Sequence, residues 1–216
     1  MQIKERMTKN PLTIDKDSKI SKVIDLMNEH HFHRIPVVEG KKLIGLVTKG
    51  MISEKGASSA TSLSVFELNY LLSKITVSTI MEKDVVTANE NDNLEDAANL
   101  MLKHDIGCVV VVNNEGELTG ILTQNDLFAA FVDLLGYNEV GTRVNVEVED
   151  KMGEIGELSQ IFTKNNCSIS HIGVYERNAG RAKIVFHVGT TDVANLKQDL
   201  EKAGVTVLGI TTKTSL

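Results

Sequence analysis

The first 135 residues of this chain are written twice, and that duplication limits its possible folds more than any other feature. Met7-Thr8-Lys9-Asn10-Pro11-Leu12-Thr13 returns 74 positions later as Met81-Glu82-Lys83-Asp84-Val85-Val86-Thr87. GLVTKGMI (residues 45–52) returns 75 positions later as GILTQNDL (residues 120–127), so one residue has been added between the anchors. The turn Asn113-Asn114-Glu115-Gly116 is the expected place for it. Ile20, Val23, Ile24 and Met27 follow the i, i+3, i+4, i+7 spacing of a buried helix face, and Leu94, Ala97, Ala98 and Met101 repeat it. Ser18 and Asp92 are the expected caps of these two helices. Each helix leads into a buried-type strand, IPVVE (35–39) or CVVVV (108–112). A polar turn and a second strand (43–48, 118–123) follow, and a further helix opens at the threonine. Each copy therefore reads strand, helix, strand, strand, helix.

Between the copies, EKGASSATS (54–62) has loop composition, and LSVFELNYLLSK (63–74) predicts an amphipathic helix with Leu63, Phe66, Tyr70 and Leu71 on one side. After Leu135-Gly136 the pattern changes. VNVEVED (144–150) alternates as a half-exposed strand, and Gly153 opens a helix carrying Ile155, Leu158, Ile161 and Phe162. CSISHIGV (167–174) and AKIVFHV (182–188) are strands joined by the turn ERNAGR. A helix over 192–203 ends at Gly204, and VTVLGI (205–210) closes with a strand. The order is the βαββαβ of a ferredoxin-like domain. The expected division is 1–62, 63–136 and 137–216, with an α+β fold throughout.

Composition narrows the chemistry. Asp and Glu number 29 against 23 Lys and Arg, and no basic block stands out, which argues against a nucleic-acid partner. No apolar run has the length of a membrane span, and no signal-peptide core follows Met1, so a cytoplasmic location is expected. Cys108 and Cys167 sit alone in strand-like runs and read as reduced, buried small hydrophobes. There is no P-loop, Rossmann glycine triplet, nucleophile elbow or His-Glu-x-x-His, so nothing marks an enzyme.

GLVTKGMI and GILTQNDL, each ending a sheet in its own copy, make residues 1–135 resemble a tandem pair of CBS repeats, a Bateman module packed as a pseudo-symmetric pair. Asp150-Lys151-Met152-Gly153 and Asn166-Cys167-Ser168-Ile169 make the tail resemble an ACT domain, and the combination is similar to acetoin-utilisation proteins of the AcuB type. The resemblance implies a regulatory homodimer that senses a small-molecule adenosine nucleotide (AMP, ADP, ATP or another adenosyl compound) and answers to a downstream protein. Within it, Thr123 and Asp126 match the residues that hold the nucleotide, with Gly120 at the head of the motif. A hydroxyl and free N–H groups at a helix start suit a phosphate, and a carboxylate suits a ribose diol. Thr48 matches in repeat one, but Met51 stands where Asp126 stands and cannot accept a ribose hydroxyl. His33-Arg34 match the pair that contacts phosphate, and repeat two has Gly107-Cys108 there. One composite site follows, repeat one supplying the phosphate contacts and repeat two the ribose contacts.

Plainer readings stand beside these. Asp126 is also a fitting helix cap, and Arg34 a fitting partner for a surface carboxylate. The His30, His31 and His33 cluster lies where a helix frays and lacks further ligands for a metal site. In the tail, the resemblance implies a small ligand such as an amino acid at Gly153, facing Asn166, Ile169 and Ser170 across a dimer interface. Gly153 is also a plain helix-start glycine, and His171 and His187 read as satisfied or exposed strand histidines. A scaffold with degenerate sites, or an enzyme consuming a bound nucleotide, are the competing functional classes.

Overall fold

The computed structural model describes residues 1–59 and 74–215, and the side chains of all of these except 55–59. Met1–Leu127 form one compact unit and Phe128–Leu216 a second. The helix expected over residues 63–74 lies outside the described residues save for Lys74.

In the first unit, repeat one contributes α1 (Ile20–Glu29), β3 (Arg34–Glu39), β4 (Lys42–Thr48) and α2 (Lys49–Ser59). Repeat two contributes α3 (Leu94–His104), β6 (Cys108–Val112), β7 (Leu118–Thr123) and, as far as Leu127, the first turn of α4 (Gln124–Leu134). Short strands β2 (Ile14–Asp15) and β5 (Thr87–Asn89) pair in parallel with β3 and β6 of their own repeats. The added residue sits where expected. Gly40-Lys41 close a two-residue turn in repeat one, whereas Asn114-Glu115-Gly116 close a three-residue turn in repeat two, with Gly116 at a positive φ of 75°.

Two expectations in the first unit need correction. The helices begin one residue later than Ser18 and Asp92 allow: Lys19 and Asn93 occupy the cap positions. Asn93 forms a reciprocal capping box with Asp96, while the Ile20 and Leu94 N–H groups are satisfied by the carbonyls of Ile75 and Met1. The segment from 54 is helical through Ser59, because a helix already started at Thr48 extends through weak formers at little cost.

Those two carbonyls belong to a larger exchange. The leader of repeat one crosses to repeat two: Ile3 N–H donates to Asp92 O, Lys4 N–H to Glu90 O, and β1 (Thr8–Lys9) adds to the edge of β7. The segment after repeat one makes the mirror contacts on repeat one: Val77 N–H to Asp92's counterpart Ser18 O, Ser78 N–H to Lys16 O, and Glu82 bridging Leu46. Each repeat is thus completed by the other's leader. Val77, with no exposure, sits in the core of repeat one among Ile14, Ile20, Val23, Met27, Ile35, Val37 and Val47. Burying such a side chain contributes about 1.5–3 kcal/mol.

The repeated glycines serve this exchange. A Cβ on Gly120 would run into Met7 Sδ and stand 3.0 Å from the Thr8 carbonyl oxygen. One on Gly45 would stand 2.7 Å from Met81 Sδ and 2.9 Å from Glu82 O. Only hydrogen leaves room for the leader to lie on the strand.

In the second unit, β8 (Gly141–Glu149), α5 (Glu154–Lys164), β9 (Ile169–Asn178), β10 (Arg181–Val188), α6 (Leu196–Lys202) and β11 (Thr206–Lys213) form an antiparallel sheet of order β11-β8-β10-β9. That is the ferredoxin-like arrangement. Val144, Val146 and Val148 alternate inward against Leu158, Phe162, Ile184, Phe186, Leu196 and Leu200. Phe162 and Phe186 meet with ring centroids 4.7 Å apart.

Gly120→Ala is expected to destabilise the chain by about 1–3 kcal/mol, since a backbone carbonyl cannot swing aside. Urea unfolding measures it, and an unchanged midpoint would show that the leader does not hold its place on β7.

Candidate functional site

A cleft of about 640 Å³ in the first unit is shared between the repeats. Repeat one brings His30, His31, Phe32, His33 and Arg34, from the end of α1 to the start of β3. Repeat two brings Gly107, Ile121, Thr123, Gln124 and Asn125. Between them passes the crossing leader, with Thr8, Asn10, Pro11 and Leu12. Asn10 takes the left-handed conformation (φ 47°) that bends the chain off β7.

Arg34 starts β3 opposite Thr48, and its guanidinium reaches across to repeat two. There it lies over Gly107, where any Cβ would collide with Nη2 and stand 3.5 Å from Gln124 Oε1. The residue that denies repeat two a histidine of its own is therefore the one that admits the arginine of repeat one. Arg34 is half-buried and, among the described residues, has no carboxylate partner. Burial pushes the Cys108 thiol above its ordinary range, and the charge of Arg34 opposes that rise. His33 and Thr123 line the same cleft; His30 stacks on Phe32 with centroids 5.5 Å apart.

Asp126 is held as a cap. Its Oδ2 accepts from the Thr123 N–H and the Thr123 hydroxyl, both at 2.7 Å, and Asp126 N–H points back to Thr123 Oγ1 at 3.4 Å. It stands behind Thr123 and Asn125 rather than among the lining residues. Thr48 plays the same capping part in repeat one, accepting from Met51 N–H at 3.2 Å, and does not line the shared cleft. Gly120 also lies outside it, under Met7. The structure thus brings together His33, Arg34 and Thr123, with Asp126 one layer back. Phe32, Leu12, Gln124 and Asn125 went unmarked in the sequence; their one signal was adjacency to the histidines, to Pro11 and to Thr123.

In the second unit, Gly153 starts α5 at φ 89° beside a hollow of about 150 Å³ lined by Glu149, Lys151, Glu154, Val174, Arg177 and others. Glu154 Oε2 is buried there without a hydrogen bond, with Lys151 Nζ 3.4 Å away. Asn166, Ile169 and Ser170 of the same chain do not line it. The Ser170 hydroxyl is occupied by His187 and His171.

The CBS domain profile matches residues 3–56 and 77–133, and the ACT domain profile matches 142–205. The chain belongs to the CBS-domain family and carries an ACT domain behind its CBS pair. Protein MJ1225 of Methanocaldococcus jannaschii is 30% identical over 144 residues, 64% of this chain and 51% of that protein. The inosine-5'-monophosphate dehydrogenase of Chlorobaculum parvum is 31% identical over 145 residues, 64% of this chain and 27% of the enzyme. The chain therefore spans about half of the first and about a quarter of the second. Among solved structures, the Vibrio cholerae protein AcuB, assigned to acetoin utilisation, aligns with a TM-score of 0.53 at 25% identity over 64% of this chain and 95% of that one. The CBS pair of protein MJ0100, in complex with 5'-methylthioadenosine and S-adenosyl-L-methionine, aligns with a TM-score of 0.52 at 26% identity over 61% of this chain and 99% of that one. CBSX2 in complex with AMP aligns with a TM-score of 0.51 at 25% identity over 61% and 96%. Among the described residues, no helix is long and apolar enough to cross a membrane.

Asp126→Ala is expected to cost about 1 kcal/mol in the ligand-free protein, because the cap on α4 is lost whether or not a nucleotide binds. Chemical denaturation without ligand checks it; a variant as stable as the parent would mean the carboxylate is not needed to start the helix.

Proposed function

We propose that the chain is a non-catalytic regulatory protein that senses an adenosine compound in the cleft shared by its two CBS repeats. The observation that carries this reading is the Arg34 guanidinium, extended over Gly107 into a cleft that also holds Thr123 and without a carboxylate partner among the described residues. A half-buried cation so placed favours an anionic visitor, and the planar guanidinium suits phosphate oxygens. Phe32 and Leu12 supply apolar surface for a base, and Asp126 Oδ1, which takes no part in the cap, is the acceptor left for a ribose hydroxyl. The reading is supported by the CBSX2 complex with AMP and the MJ0100 pair with adenosyl ligands, and by the regulatory part that CBS and ACT domains ordinarily play.

The rest of the proposal is coarser. The hollow beside Gly153, with the buried Glu154 Oε2, suits the ammonium group of a small ligand such as an amino acid. β9 is an edge strand exposing Ile172 and Val174, which supports pairing with a second copy in a cytoplasmic homodimer. Likeness to AcuB supports acetoin utilisation as the first pathway to try. Signalling to a downstream protein requires that the nucleotide bind one conformation better than another.

Thermal-shift and calorimetric titration with AMP, ADP, ATP, S-adenosylmethionine and 5'-methylthioadenosine test the reading. A ligand at a hundred times its Kd is expected to stabilise the chain by about 2.7 kcal/mol. Arg34→Ala is expected to weaken phosphate-bearing ligands at least tenfold and to spare 5'-methylthioadenosine. If none of the five binds, the proposal is lost; if all bind the Arg34 variant as tightly as the parent, the assignment of the phosphate end is wrong.

A further inference from the structure

The second unit holds a group of side chains that neither the nucleotide reading nor the ACT hollow uses. Glu139, His171 and His187 each offer a ligand atom, and these atoms lie within 4.8 Å of one another. His171 and His187 face each other across the β9–β10 ladder, with ring centroids 5.7 Å apart. Glu139 reaches them from the loop ahead of β8, its Oε1 3.7 Å from His171 Nε2. Two ligand atoms held tetrahedrally at about 2.1 Å from an ion stand about 3.4 Å apart, so this pair is within a few tenths of an ångström of ligating distance.

Hydrogen bonding prepares the imidazoles. The Ser170 hydroxyl donates its one proton to the His187 carbonyl, at 3.2 Å. Its oxygen then serves as acceptor for Nδ1 of His187 at 2.8 Å and Nδ1 of His171 at 3.2 Å. In the tautomer with hydrogen on both Nδ1 atoms, each ring presents its lone pair at Nε2. One hydroxyl orienting two imidazoles through their far nitrogens is what a metal centre requires of the residues behind its ligands. Two glycines at positive φ clear the space: a Cβ on Gly136 would stand 2.5 Å from His171 Nδ1, and one on Gly141 2.9 Å from His187 Cε1. Arg143 is the cross-strand neighbour of His187, so a cation here depends on the Glu139 carboxylate to offset that charge.

We propose that Glu139, His171 and His187 bind a divalent first-row transition ion of the imidazole-seeking kind, Zn²⁺ or Co²⁺, with at least one coordination position open. Two imidazoles and one carboxylate are a ligand set that zinc accepts with a fourth position left to water or a small ligand. The ion would tie the loop at Glu139 to the β9–β10 ladder.

The test uses the full chain, stripped with a chelator and titrated with Co²⁺, followed by visible absorption, and then with Zn²⁺ in competition. One ion per chain is expected, with the intense bands of a four- or five-coordinate centre. Glu139 is exposed and His171 only half-buried, so Glu139→Gln and His171→Ala should fold, as metal-free unfolding curves will register; each is expected to weaken binding at least tenfold. Ser170→Ala, which touches no ion, is expected to weaken it by about ten- to a hundredfold. A paired His30→Ala, His31→Ala variant should leave the affinity unchanged. Absence of stoichiometric binding overturns the proposal. So does binding that ignores Glu139→Gln and His171→Ala, or that disappears with the His30 and His31 pair.

Discussion

The contact on which the first unit depends is the seating of a methionine-bearing leader against a glycine on the opposite repeat. Met7 lies on Gly120 and Met81 on Gly45, with backbone pairing at Thr8 and Glu82 alongside. The buried apolar surface and the paired edge groups come as one cooperative contact, because a strand that lost its leader would expose both at once. Duplication makes the contact reciprocal. Ile3 and Val77 are removed from water by the partner repeat, and the first N–H of α1 and of α3 is satisfied by a carbonyl of the crossing segment.

The shared cleft follows from that exchange. Once the leader has left β7 at Asn10, it must return over the gap between the repeats to reach β2, and Pro11 and Leu12 become a wall of the cleft. The divergence of the copies gives the cleft two unlike sides. Arg34 has no counterpart in repeat two, and Gly107 gives its guanidinium the volume a side chain would fill. The asymmetry is thus complementary rather than a decay of one half.

The regular elements were legible because their patterns are strong: the apolar faces of α1 and α3 and the alternation of β8 each match one period, and the valine run of β6 is short, β-branched and bounded by a turn. The exchange was not, since strands of two residues such as β1 and β2 carry no period at all. Gly45 and Gly120 were visible as repeated letters, but the methionine that requires them is distant in sequence and meets them only through the crossing. Thr123 and Asp126 show the limit on the chemical side. The same Thr-x-x-Asp spacing specifies a capping box and a nucleotide motif, and the geometry gives Asp126 the capping role while leaving Oδ1 over. Glu139, His171 and His187 were individually unremarkable, because only the antiparallel register and the loop before β8 bring them into one place.

The interlocked leaders bear on how such a chain holds together at all. A solitary repeat would have its methionine arm unpaired and the matching edge bare, and could be completed only by meeting another molecule at whatever dilution the cell provides. Placing both halves on one polypeptide turns that encounter into a local search, at effective concentrations on the order of millimolar for a short connection. The handshake between the halves thereby becomes a first-order event, independent of how many copies are made.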